Sequence, residues 1–156
     1  MVRNDALIDV LNDLVQINND RIAGYEKAIK DSKGENGSYH SMFRRMIDES
    51  SQYKRELIDA INTLGGEADT KSTTNSGKVY RVWMDVKSTV AGKTDLSVLE
   101  LCEFGEDAAQ KAYEEALKSD VEMPPKIREI IVNQKAQLRN AHDTIKRQRD
   151  LHAAEH

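Results

Sequence analysis

A single cysteine, Cys102, stands in 156 residues, so no disulfide can staple the chain to itself, and an unbridged thiol points to a reducing, cytoplasmic setting. Proline occurs twice and glycine eight times, too sparsely for a sheet protein rich in tight turns. No apolar run approaches the roughly 20 residues that span a bilayer. The opening "MVRNDALIDVLNDLV" mixes acids into its apolar positions, which argues against a secretory leader. Chemistry-bearing motifs are missing too: there is no Gly-rich phosphate loop, no nucleophile elbow and no Cys-x-x-Cys pair. The histidines (His40, His142, His152 and His156) form no His-x-x-His or Glu-x-x-His pair. A basic surplus is also lacking. With a net charge of −4 and a pI near 5.6, the expectation is that nucleic acid is not a partner, and the basic "IKRQRD" reads as a cation-favoured helix end.

What the chain does have is charge and helical period. Charged residues make up 32% and are interspersed, as on helix surfaces laced with i,i+4 pairs. The length suits one domain with a real core. Apolar stripes at spacings of three and four predict helices at about 4–32, 39–65, 95–120 and 124–152. Their stripes begin Leu7–Leu11–Leu14, Met42–Met46, Leu99–Cys102 and Ile127–Ile131. "SKGENGS" and "VEMPPK" are short loops, so helices one and two pair as one antiparallel hairpin and helices three and four as another. Residues 66–94 are too long for a turn and read as a crossover. Within it a short amphipathic helix is expected at 78–90, carrying Val79, Val82, Trp83 and Val86, with Trp83 as an anchor. The expected fold is an all-α four-helix bundle.

The chain also echoes itself. "YEKAIKDS" at Tyr25 lies over "YEEALKSD" at Tyr113, and Asn18 then lies over Glu106. In the partner helices "ESSQ" (49–52) lies over "QKAQ" (134–137), an internal duplication of a helical hairpin. Each apolar stripe is interrupted once by a polar residue: Asn18, Glu49, Glu106 and Gln134. In an antiparallel bundle these heights meet in one layer, with Gln52 and Gln137 three residues further on. Buried carboxylates need a partner, a proton or a metal. Two explanations stay open: iron or manganese held by oxygen ligands from several helices, or a metal-free network in which amides donate to Glu49 and Glu106. Tyr25, Tyr53 and Tyr113 are expected in the core with their hydroxyls on polar partners.

These residues, with phrases such as "GEDAAQKAYEEAL" and "AHDTIKRQRD", resemble the ferritin-like superfamily, and most of all a family of small bacterial ferritin-like bundle proteins of unassigned function. Some members of that wider group are linked to stress responses. In metal-binding members, helices one and three each give a Glu with a Tyr seven residues later, and helices two and four each give Glu-x-x-His. By position, the resemblance assigns Asn18 with Tyr25, Glu49 with Gln52, Glu106 with Tyr113, and Gln134 with Gln137. Both histidines are glutamines here and two of four carboxylates are amides. The resemblance therefore implies a degenerate di-metal site formed by Asn18, Glu49, Gln52, Glu106, Gln134 and Gln137. It implies no cofactor and no catalysis, and a protein that pairs as a homo-dimer without a membrane. Two rival readings stand beside it: an iron-oxidising bundle using the residual carboxylates, and a partner-binding module working through the crossover and Trp83.

Overall fold

The computed structural model describes residues 4–31, 37–69 and 95–155. Four helices occupy them: α1 (Asp5–Asp31), α2 (Gly37–Thr63), α3 (Asp95–Lys118) and α4 (Pro125–Glu155). The crossover helix expected at 78–90, and Trp83 with it, lie outside the described residues, as does most of "SKGENGS".

The helix ends follow from local chemistry. Asn4 caps α1, its Oδ1 accepting the Leu7 amide at 3.4 Å, and Asp5 and Lys30 sit at the ends that favour their charges. At the end of α2, Gly66 N donates to Ile61 O and Gly65 N to Asn62 O, both at 3.0 Å, with Gly65 at φ 80°. That is a Schellman turn, and it ends the helix at Thr63 rather than at residue 65. The next glycine is needed for space, since a Cβ on Gly66 would lie 2.8 Å from the Ile8 side chain. Beyond the turn, Asn12 grips the chain from α1, donating to Glu67 O at 3.0 Å and accepting from Asp69 N at 2.8 Å. Pro125 opens α4, where a missing N–H costs nothing, and Pro124 O accepts the Ile127 and Arg128 amides. The helix then runs to Glu155, past the expected end at 152.

Residue pairs across the helices give the topology. Arg21 meets Met46 and Ser50, and Asn12 meets Glu67, so α1 and α2 are antiparallel. Tyr113 meets Gln134, Asp107 meets His142 and Glu103 meets Arg149, so α3 and α4 are antiparallel as well. Asn18 meets Tyr113 and Arg21 meets Glu106, which sets α3 antiparallel to α1 and hence parallel to α2. The connection from α2 to α3 therefore starts at one end of the bundle and finishes at the other. The α2–α4 seam is the slightest of the four.

The core is one cluster of apolar side chains from all four helices, with Leu7, Leu11, Leu57, Ile61, Leu99, Ile131 and Ile145 fully enclosed. An aromatic group extends it at the Asp31 end of α1: Tyr25 and Phe43 lie 5.6 Å apart, and Tyr39 stacks on Phe43 at 6.5 Å. No helix among the described residues is long and apolar enough to cross a membrane.

A candidate polar centre built around Arg21

The stripe of α1 runs Leu14, Asn18, Arg21, Tyr25, Ala28, at spacings of four, three, four and three. Arg21 is thus carried straight into the bundle and is only 1% exposed. Its guanidinium forks onto Glu106 of α3, Nε donating to Oε1 at 2.6 Å and Nη2 to Oε2 at 3.1 Å. The opposite edge faces α2, where Nη1 donates to Met46 O at 3.1 Å and to Ser50 Oγ at 2.8 Å. Nη2 also reaches Glu49 Oε1 at 3.5 Å and Met46 Sδ at 3.4 Å. The ring of Tyr25 lies 5.3 Å from Cζ, within cation–π range.

From Ser50 the network continues across the bundle. Ser50 Oγ donates to Asn18 Oδ1 at 2.9 Å. Asn18 Nδ2 donates to Leu14 O at 2.8 Å and to the Tyr113 hydroxyl at 2.9 Å. Tyr113 donates to Gln134 Oε1 at 2.6 Å. Gln134 Nε2 then donates to Glu56 Oε1 at 2.9 Å and to Tyr53 O at 3.2 Å. Every link points the same way, from a group that can only donate to a carboxylate that can only accept.

The electrostatics follow this layout. Burial would by itself lower the Arg21 pKa, but the Glu106 carboxylate outweighs it and holds the guanidinium charged well above its ordinary range. Burial raises the Tyr25 phenol, and the charge of Glu106 adds to it. Tyr113 is raised by burial, opposed in part by the Asn18 hydrogen bond. Tyr53 is raised by burial and then by Glu49, and its hydroxyl makes no hydrogen bond to any described residue, unlike the expected arrangement.

Asn18, Glu106 and Gln134 are buried and share one network, whereas the other expected members are placed differently. The Glu49 side chain is 34% exposed at the edge of the core, and Ser50 holds the interior position. A spacing of three or four from Met46 allows either, and the small uncharged side chain is the cheaper one to bury. Gln52 and Gln137 are exposed. Gln52 pairs along its own helix with Glu56 and Arg55, because three residues past Glu49 the helix has turned away from the core. His142 lies on the α3–α4 seam between Asp107 at 2.6 Å and Asp143 at 3.2 Å. Sequence reasoning missed Arg21 and Ser50. The signal for Arg21 was a gap: Asn18 and Tyr25 are seven apart, and a residue at 21 or 22 had to fill the stripe.

Divalent iron or manganese needs anionic or imidazole donors around a shared point. Here both Glu106 oxygens receive Arg21, both ends of the Asn18 and Gln134 amides are engaged, and the glutamines in the histidine positions face solvent. Among the described residues, no three His, Cys, Asp or Glu side chains converge as a metal would require. The donor set does not fit a pair of ions.

No curated protein compared with the chain matches it. Among solved structures, a mutant of Mycobacterium smegmatis Dps1 shares the fold, with a TM-score of 0.73 at 13% sequence identity over 94% of this chain and 96% of that one. The exclusion of nucleic acid on net charge is accordingly withdrawn. A whole-chain balance averages over the surface and says nothing of one helix face, and α4 alone carries seven Lys and Arg against four Asp and Glu. With its ferritin-like bundle, and with residues 6–119 matching the family described as a domain of unknown function (DUF2383), the chain belongs to that family.

Proposed function

We propose that this ferritin-like protein is a non-catalytic bundle, serving in a stress-related setting, whose ancestral di-metal layer has become a metal-free polar core. One observation carries the reading: the Arg21 guanidinium is forked onto Glu106 and lies against Glu49, so the layer's two carboxylates already face an internal cation. A buried pair of this kind satisfies charge without a soluble ion. The buried, unbridged Cys102 suits a reducing compartment, and the reading extends to a cytoplasmic home. The test is metal analysis after loading with ferrous iron, manganese and zinc, alongside oxygen uptake on adding ferrous iron. The expected outcome is less than one tightly held equivalent per chain and no oxygen consumption above the buffer. Two tight equivalents, or iron-dependent oxygen uptake lost in Glu106→Ala, would overturn it.

A second reading concerns the surface. Arg128, Lys135, Arg139 and Lys146 recur at spacings of seven, four and seven, on one face of α4. Asp143 pairs with Arg139 at 3.5 Å and Glu114 with Lys135 at 3.9 Å, which weakens the row without removing it. Such a row suits a phosphate backbone. Binding of duplex DNA would then weaken steeply with salt and be lost in Arg139→Glu with Lys146→Glu. Anisotropy that stays flat at low salt would end that reading.

A further inference from the structure

The hydrogen-bond partners of the Arg21 guanidinium among the described residues are all acceptors: two oxygens of Glu106, one of Glu49, the Met46 carbonyl, the Ser50 hydroxyl oxygen and the Met46 sulfur. They come from two helices, α2 and α3, while the cation comes from a third, α1. They do not surround a point. Glu106 takes the edge formed by Nε and Nη2, Ser50 and the Met46 carbonyl take Nη1, and Glu49 and the sulfur take Nη2. The aromatic face of Tyr25 lies beside the plane. An ammonium, with its donors on one nitrogen, cannot reach acceptors spread along two edges of a planar fork. Nor can a small metal ion, which draws its ligands to within about 2.0–2.6 Å of a single centre.

Resting on the reading that this layer is metal-free, we infer that α2 and α3 form a guanidinium-binding chamber of which Arg21 is the tethered ligand. The chamber selects a planar, forked monocation by shape and hydrogen bonding as well as by charge. Cutting the tether leaves a vacancy for the same chemistry in solution. The fragment lost in Arg21→Ala is ethylguanidinium, and that compound is the probe.

The experiment follows the melting temperature and binding heat of Arg21→Ala with ethylguanidinium and, in parallel, with ethylammonium. Ethylguanidinium should raise the melting temperature saturably, with ethylammonium at least about tenfold weaker. Wild type, its chamber filled by its own side chain, should show no saturable response to either. If Arg21→Ala does not fold by itself, it is refolded from urea with each compound present, and recovery should occur with ethylguanidinium alone. Equal rescue by both compounds, rescue by neither, or a wild-type response equal to that of the variant would overturn the chamber. Arg21→Lys serves as an independent check. It keeps the charge but loses the fork, and should respond to neither compound; a Lys variant as stable as wild type would also overturn the inference. Metal uptake is measured on wild type in the same series. Two tight equivalents there sink the metal-free reading, whereas no uptake together with no selective rescue sinks the chamber alone.

Discussion

The polar layer has two ends, built on opposite principles. At the α1–α2–α3 end a full positive charge is enclosed and answered by a forked carboxylate. At the α3–α4 end the members are neutral, with Tyr113 and Gln134 passing a hydrogen bond outward to Glu56. The two helices responsible are the echoes noted in the sequence, with Asn18, Arg21 and Tyr25 on α1 against Glu106, Ala109 and Tyr113 on α3. One arginine in the middle turn of α1 makes the difference. A charged end is a high-stakes arrangement, because losing one partner leaves the other buried and uncompensated. A neutral end loses only hydrogen bonds. Since Arg21 can only donate and Glu56 Oε1 accepts at the far end, the two ends also dictate which way Ser50, Asn18, Tyr113 and Gln134 are turned.

That contrast can be broken at its costly end first. Arg21→Met strands Glu106 in the core and should lower stability by about 3–5 kcal/mol, read from urea unfolding. Arg21→Met with Glu106→Leu removes both charges and should recover much of the loss; a double variant no better than the single one would show that packing, not charge, dominates. Tyr113→Phe probes the neutral end. It orphans Gln134 Oε1 and one N–H of Asn18, at about 1–3 kcal/mol, and a cost matching that of Arg21→Met would erase the distinction between the ends.

A smaller effect is expected from pH. The phenols of Tyr25, Tyr53 and Tyr113 hold their protons more tightly in the folded chain than in the unfolded one. Their contribution is whole below the unfolded tyrosine value of about 10 and is lost as pH climbs from there through the folded values. The raised Arg21 value acts in the same direction only above its own unfolded range. Stability should therefore fall above pH 10, by at most about 1.4 kcal/mol per pH unit for each such tyrosine, and a flat profile between pH 9 and 11 would contradict it. The smallest effects are expected from Gln52→Ala and Gln137→Ala, which sit on the exposed face and should each stay within about 0.5 kcal/mol of wild type in the same urea assay.

Much of the architecture could be read in advance because amphipathic period is local. Stripes beginning at Leu7, Met42, Leu99 and Ile127 mark helices whatever they pack against, and short loops force antiparallel hairpins. The polar layer was legible at Asn18, Glu106 and Gln134, where a polar residue falls on the stripe centre. It was misread around Glu49, where adjacent residues 49 and 50 both satisfy the spacing, and at Gln52, where three more residues rotate the side chain off the core. Arg21 stayed hidden because a long cationic side chain on a stripe ordinarily suggests a stem lying on the core with its head in water.

Sequence alone determined that four amphipathic rods would form, that short loops would pair them as two hairpins, and that Asn18, Glu106 and Gln134 would fall on their inner stripes. These are properties of residue type and spacing along one strand of chain. Only the tertiary structure decided that the centre of charge is Arg21, that Glu106 rather than Glu49 is its fork partner, and that Ser50 and Tyr113 link the halves. Which acceptors meet a guanidinium depends on the rotation and height of three helices at once, and no period within a single helix encodes that.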